Sequence, residues 1–88
     1  MKVQFRERFA RDLEAITDET VRRRVGEAIE RVEQVRMFQD VPNLRRLEAK
    51  GKYYRVRVGE YRLGLTFDNG VWTFVRCLNR KDIYRYFP

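Results

Sequence analysis

The sequence has no histidine and a single cysteine, Cys77. Without histidine, the chain cannot form serine–histidine or cysteine–histidine nucleophile pairs, histidine-ligated metal sites or the two-histidine arrangement of some ribonucleases. One cysteine excludes an internal disulfide and a cysteine-based zinc site. The chemistry of an active site must therefore come from other side chains.

Long hydrophobic runs are also missing, since no stretch approaches the roughly 20 apolar residues that a membrane span requires. The start, MKVQFRERF, lacks the apolar region of a signal peptide. A chain of 88 residues with 43% hydrophobic content is sufficient for one small core and too short for two. We therefore expect a single domain over residues 1–88, located in the cytoplasm and not bound to a membrane.

Positive charge is distributed unevenly along the chain. Residues 1–44 contain nine basic and nine acidic side chains, whereas residues 45–88 contain eleven basic and four acidic ones and so carry the whole net charge of +7. Most of the basic residues are arginines, whose planar fork suits phosphate, and this favours a nucleic-acid ligand. Alternatively, the positive charge serves solubility or forms a patch that binds an acidic protein.

The neutral half predicts a strand followed by two helices. Apolar residues alternate over residues 2–6, which is typical of a short strand. Helical spacing then predicts a short helix that ends near Thr17 and a second helix with Asp18 as its N-cap. Gly26 is consistent with a close approach of the second helix to the first. Residues 37–50 are predicted to be a connection.

The basic half predicts three antiparallel strands joined by two hairpin loops. The loop VGEY at residues 58–61 has glycine first, and DNGV at residues 68–71 contains the Asn-Gly pair of tight hairpins. Two-residue loops place Arg57 opposite Arg62, and Arg62 opposite Cys77 on the next strand. The predicted architecture is therefore an α+β fold in which a meander packs on helices.

The predicted register assigns the meander side chains to two faces, because opposed residues share a face. The face that the helices must cover receives large apolar side chains: Tyr54, Val56, Val58, Tyr61, Leu63, Leu65, Phe67, Trp72, Phe74 and Leu78. The other face receives three arginines among mostly small or polar residues: Arg55, Arg57, Arg62, Gly64, Thr66, Thr73, Val75 and Cys77. Arg76 is assigned to the apolar face, opposite Leu63, near an edge.

The three arginines of the second face indicate an anion site. Like charges directly opposite on a sheet are destabilising by ~0.2–1 kcal/mol, yet Arg57 faces Arg62 and Arg55 lies two residues away. A cluster that opposes folding is typical of a ligand site, and the small side chains beside it predict a shallow concavity. The alternative is an exposed face whose charge is partly neutralised by Glu48 or Asp82.

The chain resembles the RelE/ParE superfamily of toxins from bacterial type II toxin–antitoxin systems, and RelE more closely than ParE. The resemblance covers nearly the whole chain and lies in the order of elements, the segment YYRVRVGEYRLGL and the ending NRKDIY. Its most specific parts are the basic pair Arg55 and Arg57, then Arg62, Arg80 and Tyr84. It implies a RelE-like fold with a short N-terminal strand, a helical hairpin and a three-stranded antiparallel meander packed on the helices.

The resemblance also implies a function, that of a ribosome-dependent endoribonuclease that cuts mRNA in the A site. Its partners would be the ribosome, mRNA and a cognate antitoxin that neutralises it, with DNA bound only through the antitoxin complex. No cofactor and no metal are implied. The family's catalytic roles fall on Arg57, Arg62, Arg80 and Tyr84. RNA or phosphate binding is predicted for further basic residues: Arg55, Lys52, Lys50, Arg45, Arg46 and Lys81.

Cleavage by the RNA's own 2′-hydroxyl requires this hydroxyl to be aligned with the phosphorus and a base to take its proton. It also requires an acid for the leaving 5′-oxygen and positive charge at the phosphate. RelE-type enzymes commonly have lysines where this chain has the second-strand arginine pair, and arginine is a poor base. We hypothesise that Arg57 and Arg62 hold the scissile phosphate, Arg80 stabilises or protonates the leaving group, and Tyr84 is the base or stacks on a nucleobase. A lysine within residues 50–52 or the ribosome are the other candidate bases.

Two functions of other classes remain as alternatives. ParE-like members share the fold and inhibit DNA gyrase by protein contact, without a phosphate site. A non-catalytic module would use the basic face only to receive an acidic antitoxin segment. For Tyr84, the alternative role is that of a C-terminal aromatic residue that closes the core.

Overall fold

The structure, a computed structural model, describes residues 2–47 and 51–88. Strands and helices follow one another as β1 (Lys2–Phe5), α1 (Glu7–Glu14), α2 (Glu19–Gln34), β2 (Leu44–Arg46), β3 (Tyr53–Val58), β4 (Tyr61–Asp68), β5 (Val71–Asn79) and α3 (Ile83–Tyr86). A short 3₁₀ helix at Phe38–Asp40 precedes β2. Among the described residues, no helix is long and apolar enough to cross a membrane.

The described strands form one sheet in the order β1-β5-β4-β3-β2. β1 pairs with β5 in parallel, whereas the other neighbours are antiparallel, so the predicted α+β class and the β3–β4–β5 meander are confirmed. The prediction that residues 37–50 only connect other elements is wrong, because Leu44–Arg46 adds a strand to the edge of β3. A strand of three residues is too short to produce a clear alternating pattern.

α2 begins where a side chain satisfies free backbone N–H groups of its first turn. The Asp18 carboxylate accepts hydrogen bonds from the backbone N–H groups of Thr20 at 2.8 Å and Val21 at 3.3 Å, which confirms the predicted N-cap of α2. α1 packs mainly against β5, and α2 packs mainly against β3. The predicted close approach at Gly26 is wrong, since a Cβ added there meets nothing within 4 Å outside the helix's own backbone.

The core lies between the helices and one face of the sheet. Large apolar side chains of the meander are fully buried there, among them Leu63, Leu65, Trp72 and Phe74. Each of these side chains stabilises the folded state by ~1.5–3 kcal/mol because its apolar surface is removed from water. The helices complete the cluster with Phe9, Val25, Ala28 and Val32. The predicted apolar face is therefore present.

The pairing of β4 with β5 changes register once along the ladder. Near the turn Phe67 lies opposite Trp72, as predicted, but the register shifts by one residue between Gly64 and Leu65. Such a bulge adds one residue to one strand, here β5, and reverses the predicted faces beyond it. The alternating pattern of β5 gives no sign of the extra residue.

The register shift corrects two predicted positions. Cys77 lies opposite Leu63 and is buried on the apolar face, not beside the arginines. Burial raises the pKa of the Cys77 thiol to about 12, and the nearby charge of Asp12 acts in the same direction. Leu78 lies opposite Arg62, so its predicted place on the apolar face is wrong as well.

Arg76 is the third residue whose predicted position is wrong. It lies opposite Gly64 instead of Leu63, and its guanidinium binds the carboxylate of Asp12 in α1 through Nε at 2.8 Å and Nη2 at 3.1 Å. The same carboxylate accepts the backbone N–H of Cys77 at 2.9 Å. Asp12 therefore joins α1 to β5 through both a side chain and the backbone.

The end of the chain covers part of the arginine-bearing face. Ile83 and Phe87 are buried, and a Cβ added at Gly64 would lie 2.7 Å from the Phe87 ring. The rings of Phe87 and Tyr53 contact each other edge to face, with their centroids 5.8 Å apart. The concavity predicted around Gly64 is therefore filled by Phe87. Tyr84 does not close the core, since it is 73% exposed.

Candidate functional site

An open cavity of about 390 Å³ remains on the arginine-bearing face, beside the end of β3 and the start of β4. We name it the arginine cleft after its lining residues: Asn43, Leu44, Arg45, Arg55, Arg57, Arg62 and Tyr84. They come from the segment before β2, three adjacent strands and α3. The cleft is thus shaped by parts of the chain that are far apart in sequence.

Strand pairing brings four arginines together in the cleft. Arg45 lies opposite Arg55 across β2 and β3, and Arg57 lies opposite Arg62 across β3 and β4, the second pair as predicted. Each directly opposed like-charge pair opposes folding by ~0.2–1 kcal/mol. β2 therefore doubles the number of opposed arginine pairs compared with the sequence-based expectation.

Arg62 is oriented by the hairpin turn between β3 and β4. Its Nη1 atom donates hydrogen bonds to the carbonyl oxygens of Gly59 at 2.8 Å and Tyr61 at 2.9 Å. Gly59 has a φ of +58°, in the left-handed region that glycine adopts without strain. The predicted tight turn thus also holds one of the predicted phosphate ligands in place.

Tyr84 lies at the other side of the arginine cleft, on α3. The guanidinium carbon of Arg55 is 4.4 Å from the centre of the Tyr84 ring, a cation–π contact. Hydrogen bonding to Arg55 lowers the pKa of Tyr84, and the charges of Arg55, Arg62 and Arg45 act in the same direction, against a smaller effect of desolvation. More of the tyrosine is therefore ionised at a given pH than in a tyrosine without these neighbours.

Arg80 lies beside the cleft, in a second cavity of about 430 Å³. We name this the side cavity, and it is lined by Arg24, Asn43, Arg57, Gly59, Glu60, Arg62 and Arg80. The Nε atom of Arg80 is 2.8 Å from a carboxylate oxygen of Glu60, and its backbone N–H donates to the Glu60 carbonyl. Arg57 and Arg62 line both cavities, so they lie between Arg80 and Tyr84.

Comparison with known proteins identifies the family of this chain. The family model "ParE toxin of type II toxin-antitoxin system, parDE" matches residues 3–84. The chain belongs to this toxin family. The protein is also similar to Toxin RelE3 of Methanocaldococcus jannaschii, with 35% identity over 89 residues and complete coverage of both chains. The resemblance to the RelE/ParE superfamily is therefore confirmed, with a full-length relative that is named RelE.

Solved structures support the same assignment. The toxin is similar to a chain of the RelB–RelE antitoxin–toxin complex from Methanococcus jannaschii, at 30% identity and a TM-score of 0.80, with 97% of this chain and 99% of that one covered. A chain of the archaeal RelE–RelB complex from Pyrococcus horikoshii OT3 is 20% identical, with a TM-score of 0.73 and coverage of 90% and 93%. The second likeness shows the fold. Similar toxins thus occur in archaea as well as in the bacteria named by the resemblance.

Two predicted RNA-binding residues of the toxin lie away from both cavities. The Lys52 ammonium is 3.8 Å from the Asp68 carboxylate, at the opposite end of β3 from the cleft. The Arg46 guanidinium donates to the carbonyl oxygen of Gly51 through Nε at 3.2 Å and Nη2 at 3.0 Å. Of the candidate bases within the described residues, Tyr84 therefore lines the cleft and Lys52 does not.

Two further lysines were predicted to bind RNA. Lys81 is exposed in the turn after β5, where its backbone N–H donates to the Asn79 side chain at 3.0 Å, and it lines neither cavity. Lys50 lies outside the described residues. The charged and aromatic residues that the structure brings together in the cleft are thus Arg45, Arg55, Arg57, Arg62 and Tyr84.

Sequence reasoning missed Asn43, which lines both the arginine cleft and the side cavity. Its φ of 63° places it in the left-handed region, and its carbonyl accepts the backbone N–H of Arg57 at 3.3 Å. The pair Pro42-Asn43 was a usable signal, because proline favours turns and asparagine tolerates left-handed backbone. Asn43 therefore links the turn before β2 to the strand that carries Arg57.

Proposed function

We propose that this toxin is a metal-independent endoribonuclease that cuts mRNA in the ribosomal A site and is neutralised by a cognate antitoxin. The observation that carries the proposal is the arginine cleft, in which four arginines from three strands meet a tyrosine of lowered pKa. The described residues that line this cleft include no carboxylate. Their charge therefore suits a phosphodiester directly, without a metal ion between the protein and the phosphate.

Arg57 and Arg62 are the proposed ligands of the scissile phosphate. They face each other across β3 and β4 and line both cavities. When the 2′-oxygen attacks phosphorus, negative charge accumulates on the non-bridging oxygens, and guanidinium groups already in place stabilise it. Removal of one such donor typically lowers the rate by ~10²–10³-fold. The like-charge repulsion in the free protein is relieved when the phosphate binds.

Tyr84 is the proposed base. Its phenolate would take the proton from the 2′-hydroxyl as the new bond to phosphorus forms, and the bond from phosphorus to the 5′-oxygen would break. The leaving 5′-oxygen takes a proton from water, and the products are a 2′,3′-cyclic phosphate and a free 5′-hydroxyl. The lowered pKa of Tyr84 supports this role because it increases the phenolate fraction near neutral pH.

Arg80 is the proposed stabiliser of the leaving 5′-oxygen. It lies in the side cavity, whereas Tyr84 lies in the cleft, with Arg57 and Arg62 common to both. The base and the leaving-group stabiliser are then on opposite sides of the phosphate ligands, as an in-line displacement requires. The exposed contact of Arg80 with Glu60 is weak enough to be replaced by a contact with RNA.

The proposed partners follow from the comparisons and from charge. Two of the similar structures are complexes of RelE with RelB, which supports a cognate antitoxin for this toxin as well. The net charge of +7 suits binding to a ribosome, whose surface is rich in RNA phosphate. The full-length relative is named Toxin RelE3, which supports the RelE branch of the family. It is the resemblance to that branch that implies mRNA as the substrate and the A site as the place of cleavage.

The proposal is tested by primer extension on mRNA from cells that express the toxin in a short pulse. Wild type is expected to produce cuts in phase with codons, and Arg62→Ala is expected to produce none. Arg23→Ala is the matched control, since it removes an exposed arginine that lines neither cavity and should leave the cuts unchanged. Growth arrest with intact mRNA and induced DNA damage would refute the proposal and indicate inhibition of gyrase.

A further inference from the structure

We propose that the side cavity is a second phosphate subsite, which holds the phosphate next to the scissile one in the same RNA strand, and that Arg24 of α2 is a ligand there. The ligand's identity rests on the proposed function. The inference adds a residue from the neutral half of the chain to the RNA-binding surface. It also assigns a role to Glu60, the acidic residue that lines this cavity.

The two cavities are joined through shared residues. Asn43, Arg57 and Arg62 line both the arginine cleft and the side cavity, and the two volumes, about 390 and 430 Å³, are similar. A phosphate bound between Arg57 and Arg62 would therefore have space on either side of it. An RNA strand with its scissile phosphate at this pair must continue through both cavities.

The three consecutive arginines of α2 differ in what they contact. Arg22 donates through Nη1 to the carbonyl oxygen of Ile16 at 3.4 Å, beside the end of α1. Arg23 approaches Glu27 on the exposed face of the helix, with 3.9 Å between Nη1 and the carboxylate. Arg24 instead lines the side cavity. The sequence alone gives no reason to separate Arg24 from its two neighbours.

Arg24 reaches the side cavity across the turn between β3 and β4. Its Nη1 atom lies 3.0 Å from the position that a Cβ would take at Gly59. Glycine at this position thus serves two purposes, because it adopts the positive φ of the turn and leaves room for the guanidinium. The same turn orients Arg62 through the Gly59 carbonyl, so Arg24 and Arg62 approach one short segment of backbone.

The charge of the side cavity also favours a phosphate. Its lining contains four arginines and one glutamate. Glu60 pairs with Arg80 at 2.8 Å, and both side chains are more than half exposed, so a phosphate oxygen has access to replace the carboxylate. Glu60 is therefore a competitor of the RNA for Arg80. Removal of its charge should strengthen RNA binding.

The experiment compares the binding of two uncleavable RNAs to the purified toxin at low salt. One is a 2′-O-methyl dinucleotide with a single phosphodiester, and the other is a 2′-O-methyl tetranucleotide with three. We expect Arg24→Ala to weaken tetranucleotide binding by about 10-fold, typical of the loss of a hydrogen bond to a charged group, and to leave dinucleotide binding unchanged. The slope of log K against log salt for the tetranucleotide should fall by about 0.7.

Two further variants sharpen the result. Arg23→Ala removes the same charge from the neighbouring position of α2 and should change neither affinity by more than about twofold, since surface charge alone is screened. Glu60→Gln should tighten tetranucleotide binding more than dinucleotide binding. Arg24 and Glu60 are both exposed, so their substitutions should leave the fold intact. Thermal unfolding of each variant checks this.

Three results would each overturn the inference: no measurable tetranucleotide binding by wild type, equal losses in Arg24→Ala and Arg23→Ala, or an equal loss for both RNAs in Arg24→Ala. The outcome is separable from that of the proposed function. A toxin with Arg24-dependent binding that leaves mRNA intact would retain the subsite and lose the nuclease assignment. A toxin that cuts mRNA while Arg24→Ala binds like Arg23→Ala would show the reverse.

Discussion

Two ion pairs with the same contact distance serve opposite purposes in this toxin. Arg76 meets Asp12 and Arg80 meets Glu60, each with Nε 2.8 Å from a carboxylate oxygen. The side chains of the first pair are each 12% exposed, whereas those of the second are 56% and 67% exposed. The first pair joins α1 to β5, and the second lies at the side cavity.

The difference shows that burial, not contact distance, decides what an arginine does here. The Asp12 carboxylate also accepts the backbone N–H of Cys77, so removal of Asp12 or Arg76 leaves a largely buried polar group unpaired. The side chains of Arg80 and Glu60 are mostly exposed, and an exposed pair contributes only ~0–1 kcal/mol. The largely buried pair therefore holds α1 to β5, whereas the exposed pair leaves Arg80 accessible, as its proposed role at the phosphate requires.

Breaking the buried pair should have the largest effect. Asp12→Ala leaves Arg76 and a backbone N–H without their partner, and we expect the free energy of unfolding to fall by about 3–5 kcal/mol in urea titrations. Glu7→Ala is the matched control, since it removes a carboxylate from an exposed pair with Arg11 on the same helix and should cost less than ~0.5 kcal/mol. A similar small loss for both variants would contradict the structural role of Asp12.

Removal of a cleft arginine should have the opposite effect to Asp12→Ala: activity should be lost without a loss of stability. Arg57→Ala is expected to lower mRNA cleavage by about 10²–10³-fold, because a guanidinium at the phosphate is lost. It should also raise the free energy of unfolding by ~0.2–1 kcal/mol, because Arg62 no longer faces a like charge. Parallel loss of activity and stability would mean that Arg57 is part of the scaffold. Arg57→Lys retains the charge without the fork and should give an intermediate rate.

A third variant tests the scaffold that holds Tyr84. A Cβ at Gly64 would lie 2.7 Å from the Phe87 ring, so Gly64→Ala should destabilise the toxin by about 1–3 kcal/mol and displace the C-terminal segment. Gly26→Ala is the matched control, because open space surrounds that position in α2. It should stabilise the helix by ~0.5–1 kcal/mol. Equal effects of the two substitutions would show that Phe87 does not pack on Gly64.

The rate of cleavage should depend on pH through Tyr84. Arg55 lowers the pKa of Tyr84 in the folded toxin, so the phenolate, and with it the rate, should increase with pH and show an inflection below the usual tyrosine value of ~10. Arg55→Ala should move the inflection to higher pH, and Tyr84→Phe should remove it. A profile that is the same in Tyr84→Phe as in wild type would exclude Tyr84 as the base.

The exposed pair should show the smallest effect on stability. Glu60→Gln removes the charge that pairs with Arg80, and both side chains are mostly exposed. We therefore expect the free energy of unfolding to change by less than ~0.5 kcal/mol in urea titrations. A loss comparable with that of Asp12→Ala would show that the two pairs are alike and that Arg80 is structural.

Much of the fold could be predicted because local chemistry and periodicity agree. Asp18 precedes an amphipathic helix, and two-residue loops set the register that brings Arg57 opposite Arg62. The apolar face of the meander follows from the same alternation. These features depend on residues that are close in sequence, which is where pattern-based reasoning is strongest.

The features that could not be predicted depend on distant contacts. The bulge beside Gly64 inserts a residue with no special sequence mark and places Arg76 opposite Gly64. The partner of Arg76, Asp12, lies 64 positions earlier in the chain. Phe87 covers Gly64 from the end of the chain, and three residues form β2. The hairpin pattern therefore identified Arg55, Arg57 and Arg62, whereas the position of Arg45 opposite Arg55 and the walls of the cleft depend on tertiary structure.

The most direct test of the central claim uses ribosomes programmed with one defined mRNA, made either with all ribonucleotides or with a single 2′-deoxynucleotide before the expected cut in the A-site codon. We predict that wild-type toxin cuts the first mRNA and not the second, and that Arg62→Ala cuts neither. Cleavage of the deoxy-substituted mRNA at the same position would refute attack by the 2′-hydroxyl. Intact mRNA in both cases, with folded wild-type toxin present, would contradict the assignment of the arginine cleft as a nuclease site.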